Sequence, residues 1–313
     1  MKRSKIFLLL LLAAGLTTLA GHNLAQEDDT ARTVTQADMP RIPHTDPAKA
    51  VATFTQAREF TLELVASEPL VSDPVDACFD ELGRMYVAEM HGYPFSQEPT
   101  RLNPVGGGKK DAGIIRLLED TDGDGTMDNS TVFADKLSWP TSVRCYNGGV
   151  FVIAPQHLYY LKDTDGDRKA DVREVILTGF GRDNVQSVTN GLQWGLDNKI
   201  YFAAGRNPKQ LLHRGTPLFP VSGIDLRFDP RTEKFERVTG GLQFGHTADA
   251  WGTRFVCSNS NHMQQVVYPQ RYLARNPYFV ASGLVRSVAT DGASARVFRT
   301  SPPEPWRIVR QKW

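Results

Sequence analysis

Four times along this chain a short apolar strand turns through Gly, Asp, Asn or Trp-Gly into a second strand that carries an aromatic residue. Val75–Phe79 turns at Asp80–Gly83 into Met85–Ala88, and Ser142–Tyr146 turns at Asn147–Gly149 into Val150–Ile153. Leu192–Leu196 turns at Asp197-Asn198 into Ile200–Ala203, and Thr247–Asp249 leads through Trp251-Gly252 into Phe255–Cys257. The aromatics of the return strands, Tyr86, Phe151, Tyr201 and Phe255, recur at intervals of roughly 50 to 65 residues, the period of a repeat several strands long.

Between these hairpins lies room for two further strands, and the alternation supplies them. Ile114–Leu118 is expected to pair with Thr131–Phe133, Leu158–Leu161 with Val172–Leu177, and Ile224–Phe228 with Phe235–Val238. Each unit is thus an inner hairpin followed by an outer one. The predicted fold class is all-β, a β-propeller of four-stranded blades with about four blades present. A β-sandwich has strands of the same kind, but a fixed hairpin-plus-hairpin repeat argues against it. The run Phe60–Val65 is expected to be a lone leading strand. With no further blade to receive it, the propeller is expected to be incomplete.

The expected domains are a leader at residues 1–25, a linker at 26–58 and the partial propeller at 59–313. Lys2, Arg3 and Lys5 precede the apolar run from Ile6 to Ala14, and small residues follow at Ala20 and Ala25; this is the arrangement of a secretory signal. It predicts an exported protein, periplasmic or associated with the cell envelope. The linker is polar, and Pro40, Pro43 and Pro47 are expected to break any helix there. The charges balance, 36 basic against 35 acidic residues, and no basic run marks a nucleic-acid surface. The three cysteines, Cys78, Cys145 and Cys257, sit within apolar strands and are expected to be buried thiols.

Two acidic loops are the clearest chemical motifs. Asp120, Asp122, Asp124 and Asp128 alternate through one, and Asp163, Asp165, Asp167 and Asp171 through the other. Carboxylates at every second position, with glycine to tighten the wrap, surround a hard cation such as Ca2+ with oxygen. Strands rather than helices flank both, so they are not EF-hands. The twelfth position is Thr131 in the first and Glu174 in the second, which makes Glu174 a candidate bidentate ligand. Both loops join the third and fourth strands of a blade, on the rim opposite the loops between strands two and three.

That other rim gathers polar side chains where second strands end: Glu89 and His91, Gln156 and His157, Arg206 and Asn207, and Asn259, Asn261 and His262. Asn190 and His246 are expected to join them from the between-blade connections. His246 is the first candidate for a general base and His262 the second, since a neutral imidazole suits that task near pH 7. Arg206, Asn207, Asn259, Asn261, His91 and His157 are the candidate cofactor-binding residues.

The stretch from Phe60 to Tyr93 resembles the start of the "membrane-bound dehydrogenase" proteins of planctomycetes and verrucomicrobia. Asp163–Asp167, Gly191–Asp197 and Phe255–His262 resemble the same family. Its propeller is similar to that of the glucose/sorbosone dehydrogenases that use pyrroloquinoline quinone. The resemblance implies quinone-dependent oxidation of a sugar or other alcohol, with a cytochrome c domain or partner lying outside this chain. The alternative is a non-catalytic propeller that binds glycans or a protein partner, since fold does not fix function; Tyr93 and Tyr278 are then candidate contact aromatics.

Expression in a Gram-negative host tests the leader. N-terminal sequencing of the exported protein should find a start near Gly21 or Gln26; an intact Met1 would show that the segment is retained as an anchor.

Overall fold

In the computed structural model, residues 35, 37–39, 43–93, 111–294, 296 and 304–311 are described. The expected leader and part of the expected linker, including Pro40, lie outside them. Within the linker, Pro47 opens a helix instead of breaking one. It occupies the first turn of α1 (Pro47–Ala50), where Asp46 caps the Ala48 amide; proline costs little there because its missing N–H has no partner in any helix.

Four antiparallel blades follow. The first is β1 (Pro74–Phe79), β2 (Met85–Glu89), β3 (Gly113–Glu119) and β4 (Asn129–Leu137); the second is β5 (Ser142–Tyr146), β6 (Gly149–Ala154), β7 (His157–Lys162) and β8 (Val172–Phe180). The third holds β9 (Asn190–Trp194) and β10 (Ile200–Ala203), with an inserted hairpin β11 (Pro208–His213) and β12 (Thr216–Pro217) before its outer pair β13 (Asp225–Asp229) and β14 (Lys234–Val238). The fourth is β15 (Phe244–Ala248), β16 (Arg254–Ser258), β17 (Asn261–Val266) and β18 (Val285–Ser287), with α2 (Gln270–Leu273) between its last two strands. The inserted hairpin pairs through β11 with β8 and widens the second blade to six strands. Its turn, Arg214-Gly215, is left-handed at both residues. That conformation usually calls for Asn or Asp at the first position, which is why the sequence does not announce it.

The first strands of successive blades run beside one another, with contacts from β1 to β5, β5 to β9 and β9 to β15. This is what places them innermost and makes the four sheets blades of one propeller. Polar groups tie them together. Asp76 Oδ2 accepts from Ser142 Oγ at 2.5 Å and from the Val143 amide at 3.0 Å, while Ser142 Oγ accepts from the Leu192 amide at 2.8 Å. Thr141 Oγ1 donates to the Thr189 carbonyl and Asn190 Nδ2 to that of Gln243. Between β9 and β15 the backbones approach so closely that a methyl on Gly191 would lie 2.7 Å from the Gly245 Cα, and Gly191 has φ +74°.

Two of the three seams between blades are apolar. Tyr86, Ile115, Leu117 and Phe133 meet Val143, Val150, Val152 and Leu161 in the first. Phe151, Ile153, Leu158 and Leu177 meet Leu192, Ile200, Phe202 and Phe228 in the second. The return-strand aromatic of one blade therefore packs against the next. The fourth blade contributes only Val256 and Val266 to the buried apolar residues described, and its seam with the third is built differently.

Two expectations are corrected. Phe60–Val65 forms no strand: its residues are exposed and unassigned to any sheet, and the Val65 carbonyl, which receives the Met127 amide at 2.8 Å, ties it to an Asp-rich loop. Of the three thiols, Cys78 is buried and Cys145 and Cys257 are half-buried. No helix among the described residues is long and apolar enough to cross a membrane. The described residues divide into two units, one within 45–297 and the other outside that range; the second includes α3 (Pro305–Gln311), whose Arg307 pairs with Glu304.

Candidate functional site

The seam between the third and fourth blades is polar where the other two are apolar. Tyr201 holds the position that Phe151 holds one blade earlier, and here it faces charge. The Arg227 and Arg254 guanidinium carbons lie 5.7 and 5.0 Å from its ring centroid, and the His246 ring lies at 5.8 Å. Its hydroxyl donates to Asp197 at 2.9 Å and accepts from Arg227 at 2.9 Å. Burial raises its pKa.

Arg254 organises the seam. It donates to the Thr239 carbonyl at 2.7 Å and to Asp225 at 3.0 Å. Asp225 is 1% exposed, and burial pushes its carboxyl up. The carboxylate packs directly on Gly240, where any side chain would overlap it. Arg254 also reaches His246 Nδ1 at 3.3 Å. A guanidinium can only donate, so Nδ1 is the acceptor and the ring proton sits on Nε2. That Nε2 is buried without a partner among the described residues. His246 is the residue expected to accept a proton from substrate; here its accepting nitrogen faces Arg254.

Two adjoining cavities of about 350 and 290 Å³ open along this seam and share Tyr201, Trp251, Gly252, Arg254 and Arg271. His246 lines the smaller one together with Trp194 and Asp197. These walls are the β9–β10 and β15–β16 turns, the ends of the hairpins opposite the second-strand exits. The cleft therefore lies at the rim away from the one expected to work. Trp251, on the β15–β16 turn, is 86% exposed at the lip of both cavities. The sequence showed Trp251 only as a turn residue; no motif marked it.

The expected cofactor residues are spread over four blades, and the side chains of His91, Asn207 and Asn261 are engaged internally. His91 contacts Asp73 and Glu89, each at 3.1 Å, and the fully buried Glu89 takes two bonds from Arg116. Burial, helped by Arg182 and Arg173, lowers the His157 pKa. Asn207 is spent on the backbone of Asn184 and Ser187. The Asn259 amide reaches Gln243, and Asn261 donates to Ser287 at 2.7 Å. Arg206 and His262 are exposed. His262 lines neither cavity, so the structure does not bring it to His246.

Both acidic loops fold alike. The carboxylate oxygens of Asp120, Asp122 and Asp124 lie within 4.8 Å of one another, as do those of Asp163, Asp165 and Asp171. In the first loop the Gly123 and Gly125 amides donate to Asp120; in the second the Gly166 and Arg168 amides donate to Asp163. The Gly125 and Gly123 amides hold Asp120 below the usual carboxylate range, and Thr164 does the same for Asp171. Arg168 adopts φ +67° where Gly125 adopts +92°, and its side chain pairs with Glu119 at 2.7 Å. Asp128 and Asp167 stand outside the clusters, taking bonds from Thr121 and Lys169. Glu174, expected as a ligand, is drawn away to Arg214 at 3.0 Å; the inserted hairpin supplies that arginine.

Burial, reinforced by the Arg254 charge, pushes the His246 pKa from 6.5 down to about 3. The folded state then binds fewer protons than the unfolded chain, so this contribution to stability is complete above pH 6.5 and is lost as pH falls toward 3. Denaturation midpoints measured across that window should flatten in His246→Gln relative to wild type, by up to about 1.4 kcal/mol per pH unit. Asp225 titrates with the opposite sign, so the comparison of the two proteins isolates the imidazole. Identical curves would show that His246 is solvated.

Comparison with solved structures finds partial likenesses. An auxiliary nutrient binding protein from Bacteroides thetaiotaomicron shares 15% identity at a TM-score of 0.38, over 64% of this chain and 39% of that one. The pyranose dehydrogenase PQQ domain from Coprinopsis cinerea shares 12% at 0.42, over 65% and 45%. A luciferin-regenerating enzyme shares 10% at 0.34, over 61% and 52%. The chain thus spans about half or less of each of these structures. No curated protein matches it. A family model described as a domain of unknown function, DUF7133, matches residues 46–312, and the chain belongs to that family.

Proposed function

We propose that this chain is the ligand-binding portion of an exported, calcium-loaded propeller that takes a sugar or other polyol in the cleft between its third and fourth blades. The observation that carries the reading is Trp251, 86% exposed at a lip shared by two cavities. Aromatic faces pack on the C–H faces of sugar rings, and guanidinium groups such as Arg271 bind their hydroxyls. Export rests on the N-terminal leader pattern. Calcium rests on the two oxygen-only clusters, in which Asp120, Asp122 and Asp124, and Asp163, Asp165 and Asp171, would hold the ion. The loops belong to the first and second blades and line neither cavity of the cleft, which fits a structural role.

Quinone-dependent oxidation of that sugar or alcohol is the second reading. Arg227, Arg237, Arg254 and Arg271 line the larger cavity, and no carboxylate among the described residues does; that donor set suits a polycarboxylate such as pyrroloquinoline quinone. The six residues first expected to hold the cofactor do not form a common cradle, and neither His246 nor His262, the two candidate bases, lines the larger cavity. Electrons would pass to a cytochrome c domain or partner outside these residues.

One titration series addresses both. Tryptophan fluorescence of the calcium-loaded protein should respond to a panel of mono- and oligosaccharides, and Trp251→Ala should weaken the response about tenfold or more. A panel that moves neither protein contradicts the reading. Sugar turnover with an artificial electron acceptor, after loading with the quinone and calcium, establishes oxidation; binding without turnover leaves a binding module. In the same protein, Asp122→Ala with Asp165→Ala should abolish any calcium-dependent rise in melting temperature. A rise that survives would show that the loops are turns.

A further inference from the structure

The innermost strands of the first two blades bring two cysteines together. Cys78 lies on β1 and Cys145 on β5, 67 residues apart in sequence, and their sulfurs stand 3.2 Å apart. Both are free thiols in this structure, and Cys257 lies on β16 of the fourth blade. Their meeting follows from the inter-blade hydrogen bonds: Asp76, two residues before Cys78, takes the Ser142 hydroxyl and the Val143 amide, two residues before Cys145. The register that satisfies those bonds also sets the cysteines opposite each other. A disulfide would need the sulfurs to close by only about 1 Å, a shift that side-chain rotation can supply.

We propose that Cys78 and Cys145 form a disulfide that staples the first blade to the second. The oxidant is a low-molecular-weight disulfide such as oxidised glutathione. One cysteine thiolate attacks it, forming a mixed disulfide and releasing one small thiol. The second cysteine thiolate attacks the protein sulfur of that mixed disulfide and releases the other small thiol. Two protein S–H groups become one S–S bond, the oxidant is reduced to two thiols, and the two protons end on them. The exchange belongs to the stage at which the blades dock. Once they have docked, Cys78 is 6% exposed, and the hydrogen bond to Cys78 together with burial pushes the Cys145 thiol up, which leaves little thiolate to react. The oxidising compartment that the leader predicts is where such a bond persists.

Peptide mapping tests this on the full chain. Protein refolded in a mixture of oxidised and reduced glutathione, then unfolded and alkylated without reduction, should carry label on Cys257 alone. A peptide pair joined through Cys78 and Cys145 should appear, lighter by two hydrogens than its reduced parts. Protein purified from the periplasm of a bacterial host should give the same pair, which removes dependence on refolding. Full labelling of all three cysteines in both preparations, or a linkage through Cys257, would overturn the proposal.

Discussion

The Ser142 hydroxyl is fully buried and is used in both directions: it receives the Leu192 amide from the third blade and donates to Asp76 on the first. A single side chain therefore closes a line of hydrogen bonds across three innermost strands. Leaving any member of such a line unpaired inside the protein costs the full desolvation of that group. The blades can dock only in the register that satisfies it. The apolar seams between the first three blades and the meeting of Cys78 with Cys145 depend on that register.

The same scaffold becomes chemically different at the last seam. The return-strand aromatics of the first three blades face the following blade, and in the first two seams they meet aliphatic and aromatic carbon. In the third, Tyr201 meets Arg254, Arg227 and His246. Charged groups held by Asp225, Asp197 and Thr239 do not interdigitate as aliphatic side chains do, and the seam opens into two cavities. A cleft at this place is a consequence of a repeat whose positions are kept while their chemistry is changed.

The blades were legible in the sequence because strand alternation and turn chemistry agree with each other. Asn147-Gly148 marks its hairpin plainly, and both Asp-rich loops fall between third and fourth strands as their flanks required. The inserted hairpin was hidden because Arg214-Gly215 is an unusual pair for a left-handed turn. The cleft was hidden for a different reason. Tyr201 and Arg254 read as ordinary strand residues, and only three-dimensional packing shows that they face one another. The second-strand exits do gather polar side chains, but some of these are spent on neighbouring backbone or carboxylates, as Asn207 and His91 show. Glu174 fits a ligand position by spacing and is claimed by Arg214 from an element that the pattern did not reveal.

The dependence of the fold on the inner polar line is tested most directly by the urea denaturation midpoint of Ser142→Ala. The substitution removes one hydroxyl, leaves the Leu192 amide without its acceptor and deprives Asp76 of a donor, while adding almost no change in volume. The account predicts a loss on the order of 2 kcal/mol or more. A midpoint equal to that of the wild type would contradict it and place the stability of the propeller in its apolar seams alone.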